Sequence, residues 1–308
     1  MNLVYLPYEK IDKSKWDHCL QQSINKLIYA ESVYLDTMCA QWDAIVLDNY
    51  DAIMPLPWRK KLGIKYLYQP AFLQQGGIFS NKELPNEIIE AFIDKASQHF
   101  KFAELSLNFL NTIEYNSKSP FTIKHRNNFI LSLENKFEIN IQNYSNDFKR
   151  KLKKTDSSNL YYIKSTDFKE AIQFYKKTYK DRKLNVTTKD YDNFEELCKL
   201  YYNKKRVLIR KVVDKKGLIM SIVLMLKDQN RLYNLLPCVS EEGKKTSSNY
   251  FLYHSIIEEF SGQMQTLDLE GSDVKGIAEF YQKMTNRNQP YPFIKFNNLP
   301  RVIKLLKK

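Results

Sequence analysis

The sequence predicts an α+β protein organised as two lobes, and three observations carry that expectation. The chain has 308 residues, enough for two domains at ~150 residues each. Its composition, 43% hydrophobic and 27% charged with only 8 Gly and 10 Pro, is that of a folded soluble chain rather than a disordered or fibrous one. Residues up to about 140 read as strands with few helices. From about residue 144 the order becomes helix, helix, helix, strand, strand, strand, helix, strand, helix. The expected division is therefore 1–140 and 141–308.

In chain order, Ala44–Leu47 and Ala52–Leu56 read as a hairpin around the turn residues Asp48-Asn49-Tyr50-Asp51. Ile64–Tyr68 is a third short strand, closed by Gln69-Pro70. Pro85 opens a helix whose apolar residues Ile88, Ile89, Phe92, Ile93 and Ala96 recur at helical spacing. Phe102–Phe109 and Asn128–Leu133 read as strands. Ser145 or Asn146 caps a strongly basic helix, Phe148–Lys154. Two amphipathic helices follow, over about Asp167–Lys183 and Lys189–Tyr202. Val207–Val213, Leu218–Leu226 and Leu232–Val239 are apolar strands, with Pro237 inside the last; proline cannot donate to a ladder, so it marks an edge or a bulge. A polar loop, Ser240–Thr246, leads to a helix over Ser247–Phe260. The strand Thr266–Glu270 then feeds a helix over about Ser272–Met284, followed by Tyr291–Phe296 and a basic end.

The net charge is +13, and residues 141–217 hold 21 Lys and Arg against 10 Asp and Glu. Such a surplus suits an anionic partner: nucleic acid, a phosphorylated cofactor or an acidic surface. Cys19, Cys39, Cys198 and Cys238 show no C-x-x-C pair or nearby histidine at ligand spacing, so neither a metal site nor a disulfide framework is expected. The longest uncharged apolar run, Gly217–Leu226, is too short to cross a bilayer. Residues 1–16 lack the apolar stretch of a signal peptide. A soluble, cytoplasmic protein is expected.

Three features carry chemistry. Gly243, Lys244, Lys245, Thr246, Ser247 and Ser248 combine a glycine, lysines and hydroxyls at a helix start, a pattern suited to phosphate. In Thr266–Glu270, strand alternation puts Asp268 and Glu270 on one face, where one carboxylate can act as general base. Tyr281, on the following helix, is a candidate proton donor. No Walker loop, G-x-G-x-x-G or G-x-S-x-G occurs.

The second half resembles a GNAT-fold acyltransferase domain. The likeness lies in the helices at 167–202, the strands at 207–239 with Pro237 at the bulged fourth strand, the Ser240–Thr246 loop, and Gly276–Met284, similar to the A-x-x-x-Y-x-K ending of that fold. The Q/R-x-x-G-x-G/A loop is degenerate: Ser240 stands at its first place and Lys245 replaces its last small residue. The whole chain resembles the Fem-type branch, FemABX peptidyltransferases and related double-lobe proteins, on Tyr144–Lys154, Tyr250–Phe260, Leu267–Met284, Trp58-Arg59-Lys60-Lys61 and Gln69-Pro70-x-x-x-Gln-Gln-Gly-Gly. The resemblance implies two GNAT-like lobes, with the last ~15 residues able to return to the first. It implies N-acyl transfer from an acyl-CoA to an amine, with Tyr281 as the acid. Trp58, Gln74 and Gln75 are expected to contact the acceptor across a cleft from Glu270. The alternatives are a Fem-like transferase using aminoacyl-tRNA, and a non-catalytic binding protein on the same fold.

Overall fold

The computed structural model describes residues 2–113, 121–180, 186–271 and 273–300. Contacts divide the chain into two compact units, Met1–Arg126 with Pro290–Lys308, and Asn127–Gln289.

The first unit contains β1 (Leu3–Leu6), α1 (Lys13–Gln22), α2 (Ser32–Met38), β2 (Trp42–Leu47), β3 (Ala52–Lys61), β4 (Ile64–Leu67), β5 (Phe79–Ser80), α3 (Asn86–His99), β6 (Phe102–Ser106) and β7 (Thr122–Arg126). Asp12 starts α1 by accepting the Ser14 and Lys15 N–H groups. The expected β2–β3 hairpin forms, turning through left-handed Asp48 and Tyr50. One face of α3 (Ile89, Phe92, Ile93, Ala96) is buried against Ile45, Leu47, Met54 and Leu56 in a common core; burying such a side chain contributes roughly 1.5–3 kcal/mol.

The second unit contains β8 (Ile130–Ser132), α4 (Phe137–Asn140), α5 (Asn146–Lys153), β9 (Tyr161–Ser165), α6 (Phe168–Thr178), α7 (Thr188–Tyr202), β10 (Val207–Val213), β11 (Ile219–Lys227), β12 (Arg231–Val239), α8 (Glu241–Lys245), α9 (Ser248–Phe260), β13 (Thr266–Asp268) and α10 (Lys275–Tyr281). Its sheet order is β8-β13-β12-β11-β10-β9, with β12 and β13 parallel and the other pairs antiparallel. Among the described residues no helix is long and apolar enough to cross a membrane.

The chain then supplies β14 (Tyr291–Asn297), which lies between β6 and β7 of the first unit's sheet, ordered β1-β2-β3-β4-β6-β14-β7. The division falls between Arg126 and Asn127, earlier than the expected 140, because β8 bonds to β13 and so draws residues 127–140 into the second unit.

Several elements differ from the sequence reading. α1, α2 and the edge strand β9 are additional. Residues 241–245 form helix α8, not a loop, because Ser240 caps them by accepting the Gly243 N–H and two glutamates occupy the first turn. α10 is shorter than the expected Ser272–Met284 helix, and Ser272 and the end of the helix expected over 167–183 lie outside the described residues, as does the basic end.

Candidate active site

β12 and β13 pair through only three registers, Arg231 with Thr266, Leu232 with Leu267 and Tyr233 with Asp268. β12 continues to Val239, while the chain after β13 leaves the ladder: Leu269 N–H donates to Phe129 O at 3.0 Å. The sheet therefore opens into a fork. Opposite the fork, β12 holds one residue more than β11, since Leu224 faces Leu236 but Leu226 faces Tyr233. This bulge lies at Asn234–Leu235, ahead of Pro237, which pairs in register with Val223. A bulge re-aims the side chain it carries, and here that side chain is Asn234.

Asn234 closes the apex of the fork. Its Nδ2 donates to Leu269 O at 3.0 Å and to Tyr281 Oη at 2.8 Å, and its Oδ1 accepts from Tyr253 Oη at 3.0 Å. One amide thus ties the Leu269 carbonyl and both phenols together. Asn234, Tyr253 and Tyr281 are all buried. Burial raises the Tyr253 phenol, and for Tyr281 burial, then Tyr253, then the nearby Glu270 charge hold it well above its ordinary value.

Asp268 and Glu270 part company here. Asp268 is fully buried and paired with Arg231 Nη1 at 2.5 Å, while its Oδ1 accepts the Glu270 N–H at 3.2 Å. This corrects the expectation that the two carboxylates compete as base: Asp268 neutralises a buried guanidinium and braces the turn. Glu270 adopts the left-handed region (φ 49°), as does Gly271 (φ 56°). That conformation costs a non-glycine residue roughly 1–2 kcal/mol and ends the strand alternation, while the Glu270 charge acts to raise the Tyr281 phenol. Backbone strain at a charged residue beside an open fork marks a candidate functional position.

The phosphate cradle expected at 243–248 takes another form. Within α8, Gly243 N–H donates to Ser240 Oγ (2.9 Å), Lys244 N–H to Ser240 O (2.9 Å), Thr246 N–H to Glu242 O (3.1 Å) and Ser247 N–H to Lys244 O (3.3 Å). Lys244 pairs with Glu241, and Lys245 with Glu242 at 3.0 Å. The N–H groups of Gly243, Lys244, Thr246 and Ser247 are thus engaged inside the segment, and both lysines sit in exposed ion pairs. Gly243 serves packing, since a Cβ there would lie 2.0 Å from Met220 O. What remains is Ser248 in the first turn of α9, fully buried, with its Oγ lacking a hydrogen-bond partner.

In the first unit, β4 and β6 also run parallel, meeting at Leu67 and Ala103. Their fork is filled by the chain itself. Gln69 Oε1 accepts the Ser106 N–H (2.9 Å) and Gly76 N–H donates to Ser106 O (3.0 Å). Gly77 (φ 81°) passes so close to Asn111 that a Cβ would lie 2.3 Å from its Oδ1, and the cavity left there is only about 10 Å³, too small for an acyl chain. Gln75 is fully buried; its Oε1 accepts the Phe109 N–H at 3.1 Å and its Nε2 donates to Gln74 Oε1 at 3.1 Å. The substrate contact expected of Gln75 is corrected to a loop brace. Trp58 is half-buried on β3, with Lys65 Nζ 4.0 Å from its ring centre.

Arg231, Asn234 and Tyr253 were not among the expected site residues. The available signal was a lone asparagine inside the apolar run Leu232–Val239; a buried amide demands partners.

No protein-family model matches the sequence, and no curated protein matches it. Solved structures do match. The chain is similar to FemX (12% identity, 100% of both chains, TM-score 0.65). It is similar to the C-terminal domain of a putative lysylphosphatidylglycerol synthetase from Agrobacterium fabrum (11% identity, 96% of this chain and 94% of that one, TM-score 0.57). It is also similar to a tandem GNAT protein from the clavulanic acid biosynthesis pathway (8% identity, 97% and 99%, TM-score 0.55). At such identities the likeness is one of fold: this chain has the double GNAT-lobe, Fem-type fold.

Proposed function

We propose that the protein is an acyl-group transferase that joins an amine to an activated acyl group in the β12–β13 fork, and that its donor is an aminoacyl ester of tRNA. The single observation that carries the reading is the fork itself, with strained Glu270 beside buried Tyr281 at an apex closed by Asn234. An attacking amine must lose a proton, and Glu270 is the carboxylate placed to accept it. β12 beyond Tyr233 has no ladder partner in β13, so its backbone on that side is open to polarise a carbonyl. Tyr281 then protonates the leaving oxygen.

One property favours an ester of tRNA over a thioester of CoA. The α8 segment keeps its lysines paired with its own glutamates, whereas residues 141–217 supply the positive surplus that a polyanion requires. FemX and a putative lysylphosphatidylglycerol synthetase share the fold, which supports aminoacyl transfer as the reaction class. One observation favours acyl-CoA as a second reading: a tandem GNAT protein shares the fold.

The test is single-turnover transfer to a panel of primary amines from radiolabelled aminoacyl-tRNA and, separately, acyl-CoA. Label should move from aminoacyl-tRNA, and Glu270→Gln should slow it by roughly 10²–10⁴ with an unchanged melting temperature. Transfer from acyl-CoA alone would overturn the donor assignment. Binding without transfer from either donor would leave a non-catalytic protein.

A further inference from the structure

The β3–β4 hairpin breaks three local rules at once. Lys61 pairs with Ile64, so Leu62 and Gly63 form a two-residue loop with φ of 50° and 79°. Positive φ at both positions is the type I′ hairpin turn, whose first residue is best filled by Asn or Asp. A leucine stands there instead, at a conformational cost, and it is 80% exposed, so burial within this chain does not offset that cost. Next to the turn, Lys60 faces Lys65 directly across the two strands, a like-charge cross-strand pair that destabilises a hairpin. Finally, the stretch Trp58–Tyr68 carries Arg59, Lys60, Lys61 and Lys65 with no acidic residue. A neighbouring acid, Asp43, lies 4.0 Å from Lys65.

We propose that this hairpin docks the protein on an anionic lipid bilayer, with Leu62 entering the headgroup–acyl boundary and Lys60, Lys61 and Lys65 contacting acidic headgroups. An apolar tip ringed by lysines matches that surface. A nucleic-acid backbone would reward the lysines but not a protruding leucine. Tyr66, Tyr68 and Trp58 sit behind the tip on β4, just beyond β4 and on β3, where amphipathic rings suit an interface. Arg59 stacks on Tyr68 at 4.1 Å and Lys65 on Trp58 at 4.0 Å, which holds the basic stems against the rings.

The experiment is co-sedimentation of the full chain with phosphatidylcholine vesicles, with and without 30 mol% phosphatidylglycerol, beside filter binding of tRNA. Wild type should bind the anionic vesicles, not the neutral ones, and lose binding as salt rises. Lys60→Gln with Lys61→Gln should lower partitioning by roughly 30-fold, the effect of two lysines near an acidic surface. Leu62→Asn is the decisive variant. Asn suits the turn's φ, so melting temperature should hold or rise, while partitioning falls several-fold. Failure of wild type to bind anionic vesicles would overturn the proposal. So would unchanged vesicle binding in these variants, or a loss confined to tRNA binding.

Discussion

Replacing Asn234 tests the fork most directly. Its side chain serves three buried groups: Leu269 O and Tyr281 Oη accept from Nδ2, and Tyr253 Oη donates to Oδ1. In Asn234→Ala these three buried groups each lose that partner. At roughly 1–3 kcal/mol for each orphaned group, the expected loss is at least ~3 kcal/mol. Urea unfolding followed by far-ultraviolet circular dichroism reads this as a lower midpoint at unchanged slope. Asn234→Asp adds a sign. The carboxylate keeps the Tyr253 contact but turns a second acceptor toward Leu269 O and Tyr281 Oη. Burial and the facing Leu269 carbonyl raise that carboxyl's folded pKa, and the protonated form restores a donor. Its deficit relative to wild type should therefore be greatest at neutral pH and shrink as pH falls below the raised value. An alanine variant within about 0.5 kcal/mol of wild type, the range of a neutral surface change, would show that Asn234 does not hold the apex.

The sequence discloses the second unit better than the first, for physical reasons. α6 and α7 carry apolar stripes at helical spacing, and β10, β11 and β12 are apolar runs flanked by turn residues, so periodicity alone locates them. β9 escapes because it is a short edge strand with no buried residue, its apolar Tyr161 and Ile163 lying exposed. α8 escapes because Ser240-Glu241-Glu242-Gly243 reads as loop chemistry when the glycine is weighted above the cap and the first-turn acids. The site is half legible. Glu270 stands out as a carboxylate near a strand end, but alternation also promotes Asp268, and only the left-handed turn at Glu270 and the pairing of Asp268 with Arg231 separate them. Asn234 depends on a bulge, and a bulge is set by the neighbouring strand's register rather than by local sequence. Gln74-Gln75-Gly76-Gly77 looks like an exposed motif, yet Asn108, Asn111 and Ser106, distant in sequence, anchor it as a buried plug.

Three further outcomes follow from named contacts. Gly243→Ala should lower the melting temperature markedly, since its Cβ would meet backbone Met220 O at 2.0 Å; a change within 1 °C would refute the packing role. Asp268→Asn should cost ~3–5 kcal/mol in urea unfolding by leaving Arg231 buried beside a neutral group, whereas Glu270→Gln should not, which separates brace from base. The last outcome concerns acid. Glu259 on α9 accepts from Arg210 Nε and Nη2 at 2.7 Å each and from Tyr162 Oη at 2.6 Å, and pairs with Lys164 at 2.9 Å. Burial works to raise this carboxyl, but the hydrogen bonds from Arg210, Tyr162 and Lys164 outweigh it and hold it at about 2. A folded value below the ordinary 4.5 means that the unfolded chain binds the proton more readily. The contribution is therefore complete above about pH 4.5 and is lost as pH falls toward 2. Solvent screening on the exposed side of the cluster limits it to ~1–2 kcal/mol. Glu259→Gln should be less stable than wild type by that amount at pH 7, and the two should converge near pH 2. A gap that stays constant across that range would mean that the Glu259 charge contributes nothing to holding α9 against β9 and β10.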